Sequence, residues 1–190
     1  MSVQPAAIEL LAALAPIFAR WGRWYVFGAQ AVVVHGVPRL SADVDVTLAL
    51  TPDDPARFAS EMQAGGFSLR VTTPGFIRRT HVMPFVHDAT GMPLDVVLAG
   101  SGLEEGFLDR AVAVELGATR APFIAPADLI VAKILAARPK DLEDAAALWR
   151  LHGPALDADG IRSTLRQLEE ALGQSDLVPV FEALARSGTR

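Results

Sequence analysis

The sequence of 190 residues contains no cysteine. This absence excludes a disulfide framework, a thiolate metal site and a cysteine nucleophile, and it fits a reducing compartment. No stretch approaches the roughly 18 uninterrupted apolar residues of a membrane-spanning helix, so we predict no membrane partner. Glu9 interrupts the apolar N-terminal segment and no basic region precedes it, which favours an amphipathic helix over a signal peptide. We therefore predict a cytoplasmic protein.

Several common signatures of function are also missing. The chain has no GxSxG, Walker A or GxGxxG pattern, which weakens the hydrolase, P-loop and Rossmann alternatives. No period of about 20 to 50 residues repeats, so a solenoid or propeller is not indicated. The formal net charge of -5 means that a polyanionic partner would need a local basic patch.

The chain has enough apolar material for one core, or for one core with a helical annex, because 51% of its residues are hydrophobic. Helix and strand signals alternate as far as Pro126 and are helical afterwards. We predict an α+β fold in which helices flank a mixed sheet of about four or five strands. The predicted division is a core at residues 1–125 and a C-terminal helical bundle at 126–190, packed on that core.

One stretch, VFGAQAVVVHGVPRLSADVDVTLAL, concentrates the polar residues of interest. A turn at Gly28 and Ala29 precedes a short apolar helix, and a strand follows a glycine-proline break. Along that strand Val44 alternates with Asp43 and Asp45, so the two carboxylates point the same way.

A pair of carboxylates at this spacing can converge on one hard cation. A third acid, Asp95, lies in the otherwise apolar run PLDVVLA, where a lone carboxylate costs several kcal/mol unless it is paired or metal-bound. Three acids could hold two magnesium ions about 4 Å apart, a spacing suited to an in-line phosphoryl displacement. The turn at Gly28 offers backbone N–H groups to a phosphate. A solvated strand edge is the simpler explanation of an isolated acid pair, but the combination indicates a nucleotide-handling site.

A lysine in the helical part has two possible roles. Lys133 shares a helix face with Leu129, Ile130 and Ala136, and a lysine on an apolar face requires an anion. That anion is either a bound triphosphate or an acid of the next helix, Asp141 or Asp144. Spacing alone leaves both roles open.

The order of these motifs resembles a known fold. Gly28-Ala29, thirteen further residues, Asp43-Val44-Asp45 and a later Asp95 are similar to the nucleotidyltransferase fold of the polymerase-beta superfamily. More narrowly, AQAVVVHGVPRLSADVDV and APADLIVAKILAARPKDLEDAAALW resemble AbiEii-type nucleotidyltransferases, the toxins of type IV toxin-antitoxin systems. The resemblance covers about residues 25–149.

The resemblance implies specific roles for these residues. Asp43 and Asp45 would bind magnesium, with two ions expected, and Asp95 would be the third acid that activates the attacking hydroxyl. The implied nucleotide-binding residues are Gly28, Ala29, Arg39, Ser41, Lys133 and Asp141. The substrate would be a nucleoside triphosphate, and the acceptor a tRNA 3' end or a small molecule such as an aminoglycoside. A cognate antitoxin would be the protein partner.

Two features keep other functions open. The family usually has a second glycine or a serine where Ala29 stands, and the added methyl group lies near the expected phosphates. This departure motivates the alternative of a catalytically inactive nucleotide-binding or protein-interaction module with the same fold. Arg70, Arg78 and Arg79 cluster on a predicted hairpin, where they could attract phosphate or RNA, or be solvated surface residues.

Overall fold

The computed structural model describes residues 3–49, 55–73, 75–100 and 102–187. The first two thirds alternate helices and strands: α1 Pro5–Phe18, β1 Trp24–Phe27, α2 Gly28–Val34, β2 Val44–Leu48, α3 Pro55–Ala64, β3 Phe67–Leu69, α4 Phe76–Thr80, β4 Val82–His87, β5 Pro93–Leu98, α5 Gly102–Arg110, β6 Val112–Leu116 and β7 Thr119–Phe123. The last third is helical: α6 Pro126–Ala136, α7 Pro139–His152, α8 Ala158–Leu172 and α9 Leu177–Ser187.

The strands form one mixed sheet in the order β3-β4-β5-β2-β1-β7-β6. Strands β2 and β5 are parallel, as are β1 and β7, and the other neighbours are antiparallel. The predicted α+β class with a mixed sheet is confirmed, but the predicted number of strands is wrong, because the described residues form a sheet of seven. One strand that the sequence did not predict is β6, in which Val112, Ala113 and Glu115 are all exposed. It therefore lacks the alternation of apolar and polar residues that marks a half-buried strand.

One face of the sheet forms the core of this region. Val44 and Val46 of β2 and Leu94 and Val96 of β5 are fully buried on it. Three fully buried aromatic rings extend this core across two helices and a strand. The ring centroid of Phe58 in α3 lies 5.6 Å from that of Phe18 in α1 and 6.2 Å from that of Phe85 in β4. The intervening residues of β2 and β5 point to the opposite face, where Asp45 and Asp95 are only partly buried.

The described residues divide into two compact units. The first comprises those of Met1–Val34 and Arg39–Ile124, and the second those of His35–Pro38 and Ala125–Arg190. The helical unit has its own apolar core, which includes the edge-to-face contact of Trp149 with Phe181 at 5.1 Å. None of the helices that the structure describes is both long enough and apolar enough to cross a bilayer.

Helix α6 ends at Ala137 in a conformation that disfavours a side chain. Its φ of 53° lies in the left-handed region, and its N–H donates to Lys133 O at 3.2 Å. That conformation costs a non-glycine residue about 1–2 kcal/mol, whereas glycine adds an unfolded-state entropy cost of about 0.4–1 kcal/mol. We predict that Ala137→Gly raises the free energy of unfolding by about 0.5–1 kcal/mol in urea denaturation.

The matched control is the same substitution inside the helix. Ala132 lies in the middle of α6, where glycine costs about 1 kcal/mol relative to alanine. Ala132→Gly should therefore lower the urea midpoint while Ala137→Gly raises it. Equal losses in both variants would show that the end of α6 carries no backbone strain.

Candidate functional site

Two of the three predicted acids lie side by side on neighbouring strands. Strands β2 and β5 are parallel and pair Asp45 with Asp95. Neighbouring strands are about 4.8 Å apart, and paired residues project from the same face of a sheet. The two carboxylates therefore belong to one site. Asp43 lies just before β2, in the loop from α2, two residues from Asp45.

The position of Asp43 is fixed by two polar side chains. Ser41 Oγ lies 2.8 Å from the carbonyl oxygen of Asp43 and 3.1 Å from its Oδ1, so its hydroxyl can donate to either. Gln30 Nε2 donates to the same carbonyl oxygen at 3.1 Å, and Gln30 is only 2% exposed. Gln30 was not predicted as a site residue. Its signal in the sequence is that it is the one polar side chain in the apolar helix α2, GAQAVVV.

The glycine bend faces the acids. Gly28 follows Phe27, which pairs with Asp45 across β1 and β2. A Cβ atom placed on Gly28 would lie 2.9 Å from Asp45 Cγ and would overlap Oδ2. The φ of 65° at Gly28 also favours glycine. Both observations favour glycine at this position, and the Asp45 carboxylate occupies the space that a side chain would take.

The predicted nucleotide-flanking residues meet in one place. Arg39 and Ser41 line a small concavity together with Gln4, Gln30 and Val33. Ser41 and Gln30 also hold Asp43, so this concavity adjoins the loop that carries one of the acids. A role for Arg39 or Ser41 in nucleotide binding stays a prediction.

The charge of Asp95 is compensated by an arginine. Arg70 Nη2 lies 2.5 Å from Asp95 Oδ1, and Arg70 Nε donates to Phe85 O at 2.8 Å. The side chains of Arg70 and Asp95 are 39% and 37% exposed. The lone acid of the apolar run thus has a cationic partner, and its side chain is more exposed than the apolar run indicated. Sequence analysis placed Arg70 only in a basic cluster on the hairpin and missed this contact.

The acids have the right chemistry for magnesium. Magnesium prefers oxygen ligands and is usually bound by one or two carboxylates together with water and substrate phosphates. Asp45 and Asp95, as register partners, can supply two such carboxylates. Within the described ranges, no three histidine, aspartate or glutamate side chains already stand together as a set of metal ligands. Asp43, Asp45 and Asp95 thus do not form a ready three-acid ligand set among these residues, and Asp45 with Asp95 fits one ion whose remaining ligands would come from substrate and water.

The lysine of the helical unit forms buried ion pairs. Lys133 Nζ lies 2.7 Å from Asp141 Oδ1 and 2.9 Å from Asp144 Oδ2, and all three side chains are at most 7% exposed. Arg138 Nε also donates to Asp141 Oδ2. This is the ion pair between helices α6 and α7 that spacing left open. The contacts of Lys133 and Asp141 with a triphosphate, which the resemblance implies, stay predictions.

Comparison with known proteins identifies the fold of the chain. No family model matches the sequence, and no curated protein does. Twelve chains of solved structures match. A nucleotidyltransferase-like antigenic protein from Paracoccidioides brasiliensis aligns with a TM-score of 0.57 and 12% identity, over 96% of this chain and 94% of the other. The fold is nucleotidyltransferase-like.

Two structures from Helicobacter pylori also align with this chain. JHP933 aligns with a TM-score of 0.50 and 12% identity, over 99% of this chain and 92% of the other. A structure described provisionally as a nucleotidyltransferase aligns with a TM-score of 0.51 and 12% identity, over 99% and 94%. The predicted nucleotidyltransferase fold is thus confirmed. The narrower AbiEii-type likeness stays a prediction.

We predict that Lys133→Met destabilises the protein by about 3 kcal/mol, because it leaves Asp141 and Asp144 buried without their shared cation. The matched control is Lys140→Met, which removes an exposed lysine from α7. Urea denaturation of both variants measures the difference. Equal stability of the two variants would show that the buried pairs contribute nothing.

The same cluster predicts a dependence of stability on pH. Burial raises the pKa of Asp141, but the hydrogen bonds and charges of Arg138 and Lys133 outweigh it and hold that pKa below its usual value. A carboxyl group with a lowered pKa stabilises the folded state at pH values above its unfolded-state pKa of about 3.9. This stabilisation is lost as the pH falls through the pKa of the folded state. Lys133→Met should weaken this acid-dependent loss of stability.

Proposed function

We propose that the protein is a magnesium-dependent nucleotidyltransferase that transfers a nucleoside monophosphate from a nucleoside triphosphate to a hydroxyl acceptor and releases pyrophosphate. The observation that carries the proposal is the pairing of Asp45 with Asp95 on neighbouring parallel strands, beside a glycine bend that abuts Asp45. The nucleotidyltransferase-like fold supports it. Separate features of the chain thus agree on one site.

The residues of the site have distinct roles in this reaction. Asp43 and Asp45 would hold magnesium with Asp95 as the third acid, and the sequence predicts two ions. A magnesium ion held there would neutralise negative charge on the transferring phosphoryl group. Gln30 and Ser41 fix the loop that carries Asp43. The absence of a side chain at Gly28 lets the Asp45 carboxylate lie against the bend, whose backbone N–H groups would donate to a phosphate.

The bond changes follow from in-line displacement. The acceptor hydroxyl oxygen attacks the α-phosphorus, and its proton passes to the Asp95 carboxylate as general base. The bond from the α-phosphorus to the bridging oxygen breaks, and pyrophosphate leaves with the electron pair. The products are the nucleotidylated acceptor and pyrophosphate.

The proposal also concerns which molecule accepts the nucleoside monophosphate. The resemblance to AbiEii-type nucleotidyltransferases supports a tRNA 3' end, with growth inhibition as the outcome and an antitoxin as partner. A small hydroxylated acceptor, such as an aminoglycoside, would use the same chemistry. The acceptor assay below separates these possibilities.

We predict that the purified protein transfers label from α-labelled nucleoside triphosphates to total tRNA when magnesium is present, and that Asp45→Asn lowers the rate roughly a hundredfold or more. The reason is that a metal ligand stabilises the transition state by several kcal/mol. Parallel reactions with an aminoglycoside in place of tRNA identify the acceptor class.

The matched control is Asp88→Asn, because Asp88 is an exposed acid of the turn between β4 and β5. This variant should keep the wild-type rate. Label transfer that survives Asp45→Asn would remove the proposed mechanism. Nucleotide binding without transfer to any acceptor would instead favour the inactive module that Ala29 suggests.

A further inference from the structure

Arg70 reaches the candidate site from two strands away. It follows β3 directly, and its N–H donates to Pro84 O at 2.8 Å. Proline has no N–H with which to return a bond to Arg70, so the β3–β4 ladder cannot continue in its regular pattern at this position. Strand β4 lies between β3 and β5 in the sheet, and Pro84 pairs with Asp95 of β5. The side chain of Arg70 therefore crosses β4 to reach Asp95.

The guanidinium is held at two points. Arg70 Nε donates to Phe85 O at 2.8 Å, and Arg70 Nη2 contacts Asp95 Oδ1 at 2.5 Å. The first contact fixes the direction of the side chain from β4. The second neutralises the acid that the proposed reaction uses as metal ligand and base.

A divalent cation can compete with the guanidinium of Arg70 for Asp95. Both side chains are more than a third exposed, and ion pairs of such exposure are weak because water screens them and side-chain entropy opposes them. A divalent ion carries twice the charge of the guanidinium and binds carboxylate oxygens directly. An ion between Asp45 and Asp95 would therefore compete with Arg70 for the same carboxylate.

We propose that Arg70 is the resting counter-ion of Asp95, and that a divalent cation binds by displacing its guanidinium. The proposal rests on the proposed function, because it takes Asp95 as a metal ligand. It makes Arg70 a positioning residue that acts through Asp95. The cation affinity of the site is then set by an exchange of one cation for another, and Arg70 keeps this affinity low.

The test is direct binding of Mn²⁺ to the full chain without nucleotide, measured by the paramagnetic resonance signal of the free ion. Arg70→Gln removes a positive charge beside the metal and should tighten Mn²⁺ binding by roughly three- to tenfold. Arg70→Lys keeps the charge and should bind Mn²⁺ with nearly the wild-type affinity. Asp45→Asn should weaken binding in either background.

The matched control for charge is Arg120→Gln. Arg120 pairs with Glu115 at 3.3 Å on the β6–β7 hairpin, at the opposite edge of the sheet from β3. This variant should leave Mn²⁺ affinity unchanged. An equal gain in Arg120→Gln and Arg70→Gln would overturn the proposal, since the effect would then reflect net charge alone.

A second measurement follows the guanidinium itself. The Arg70 Nε–H resonance can be assigned by its absence from Arg70→Lys. Titration with Mg²⁺ should shift this resonance as the bond to Asp95 is lost, whereas a purely structural ion pair would not respond. The Arg120 resonance serves as the internal reference.

The outcomes separate this inference from the proposed function. If the wild type binds Mn²⁺ through Asp45 but Arg70→Gln binds no more tightly, the counter-ion exchange is wrong and the transferase proposal stands. If neither protein binds Mn²⁺, both fail. Circular dichroism of Arg70→Gln should match the wild type, because an exposed pair contributes little to folding.

Discussion

The parallel pairing of β2 with β5 is the constraint on which the candidate site depends. Five consecutive residue pairs, from Val44 with Leu94 to Leu48 with Leu98, fix the register. Five of the apolar residues are buried on one face, so a slip of one residue would turn them to the other face and disrupt the core: Val44, Val46, Leu48, Leu94 and Val96. The same register places Asp45 beside Asp95. Packing of the core thus determines the distance between two carboxylates that lie outside it.

Neighbouring carboxylates repel each other, and the first unit holds Asp95 and Asp43 in different ways. Asp95 is paired with Arg70, which is anchored on β4. Asp43 is held through its backbone carbonyl by Gln30 and through the hydroxyl of Ser41. In the helical unit, by contrast, Lys133 forms buried ion pairs with Asp141 and Asp144.

Local sequence patterns predicted the parts of the site that depend on local geometry. Alternation along β2 placed Asp45 opposite the core, an isolated acid in an apolar run identified Asp95, and the bend at Gly28 lies where the pattern indicated. The contacts of Gln30 and Arg70 escaped prediction because their partners lie 13 and 25 residues away. Strand β6 was missed because exposed residues gave it no periodic signal. The spacing along the helix could not identify the partner of Lys133, because a carboxylate and a phosphate can each pair with a lysine on an apolar face.

The central claim is that Asp45 and Asp95 share one metal ion beside the glycine bend. The most direct measurement is anomalous diffraction from crystals grown with Mn²⁺ and a nucleoside triphosphate analogue that cannot be cleaved. The account predicts a manganese peak coordinated by both carboxylates, with phosphate oxygens completing its ligands and the triphosphate next to Gly28. A manganese peak that contacts neither carboxylate, or a nucleotide bound away from Gly28, would contradict it.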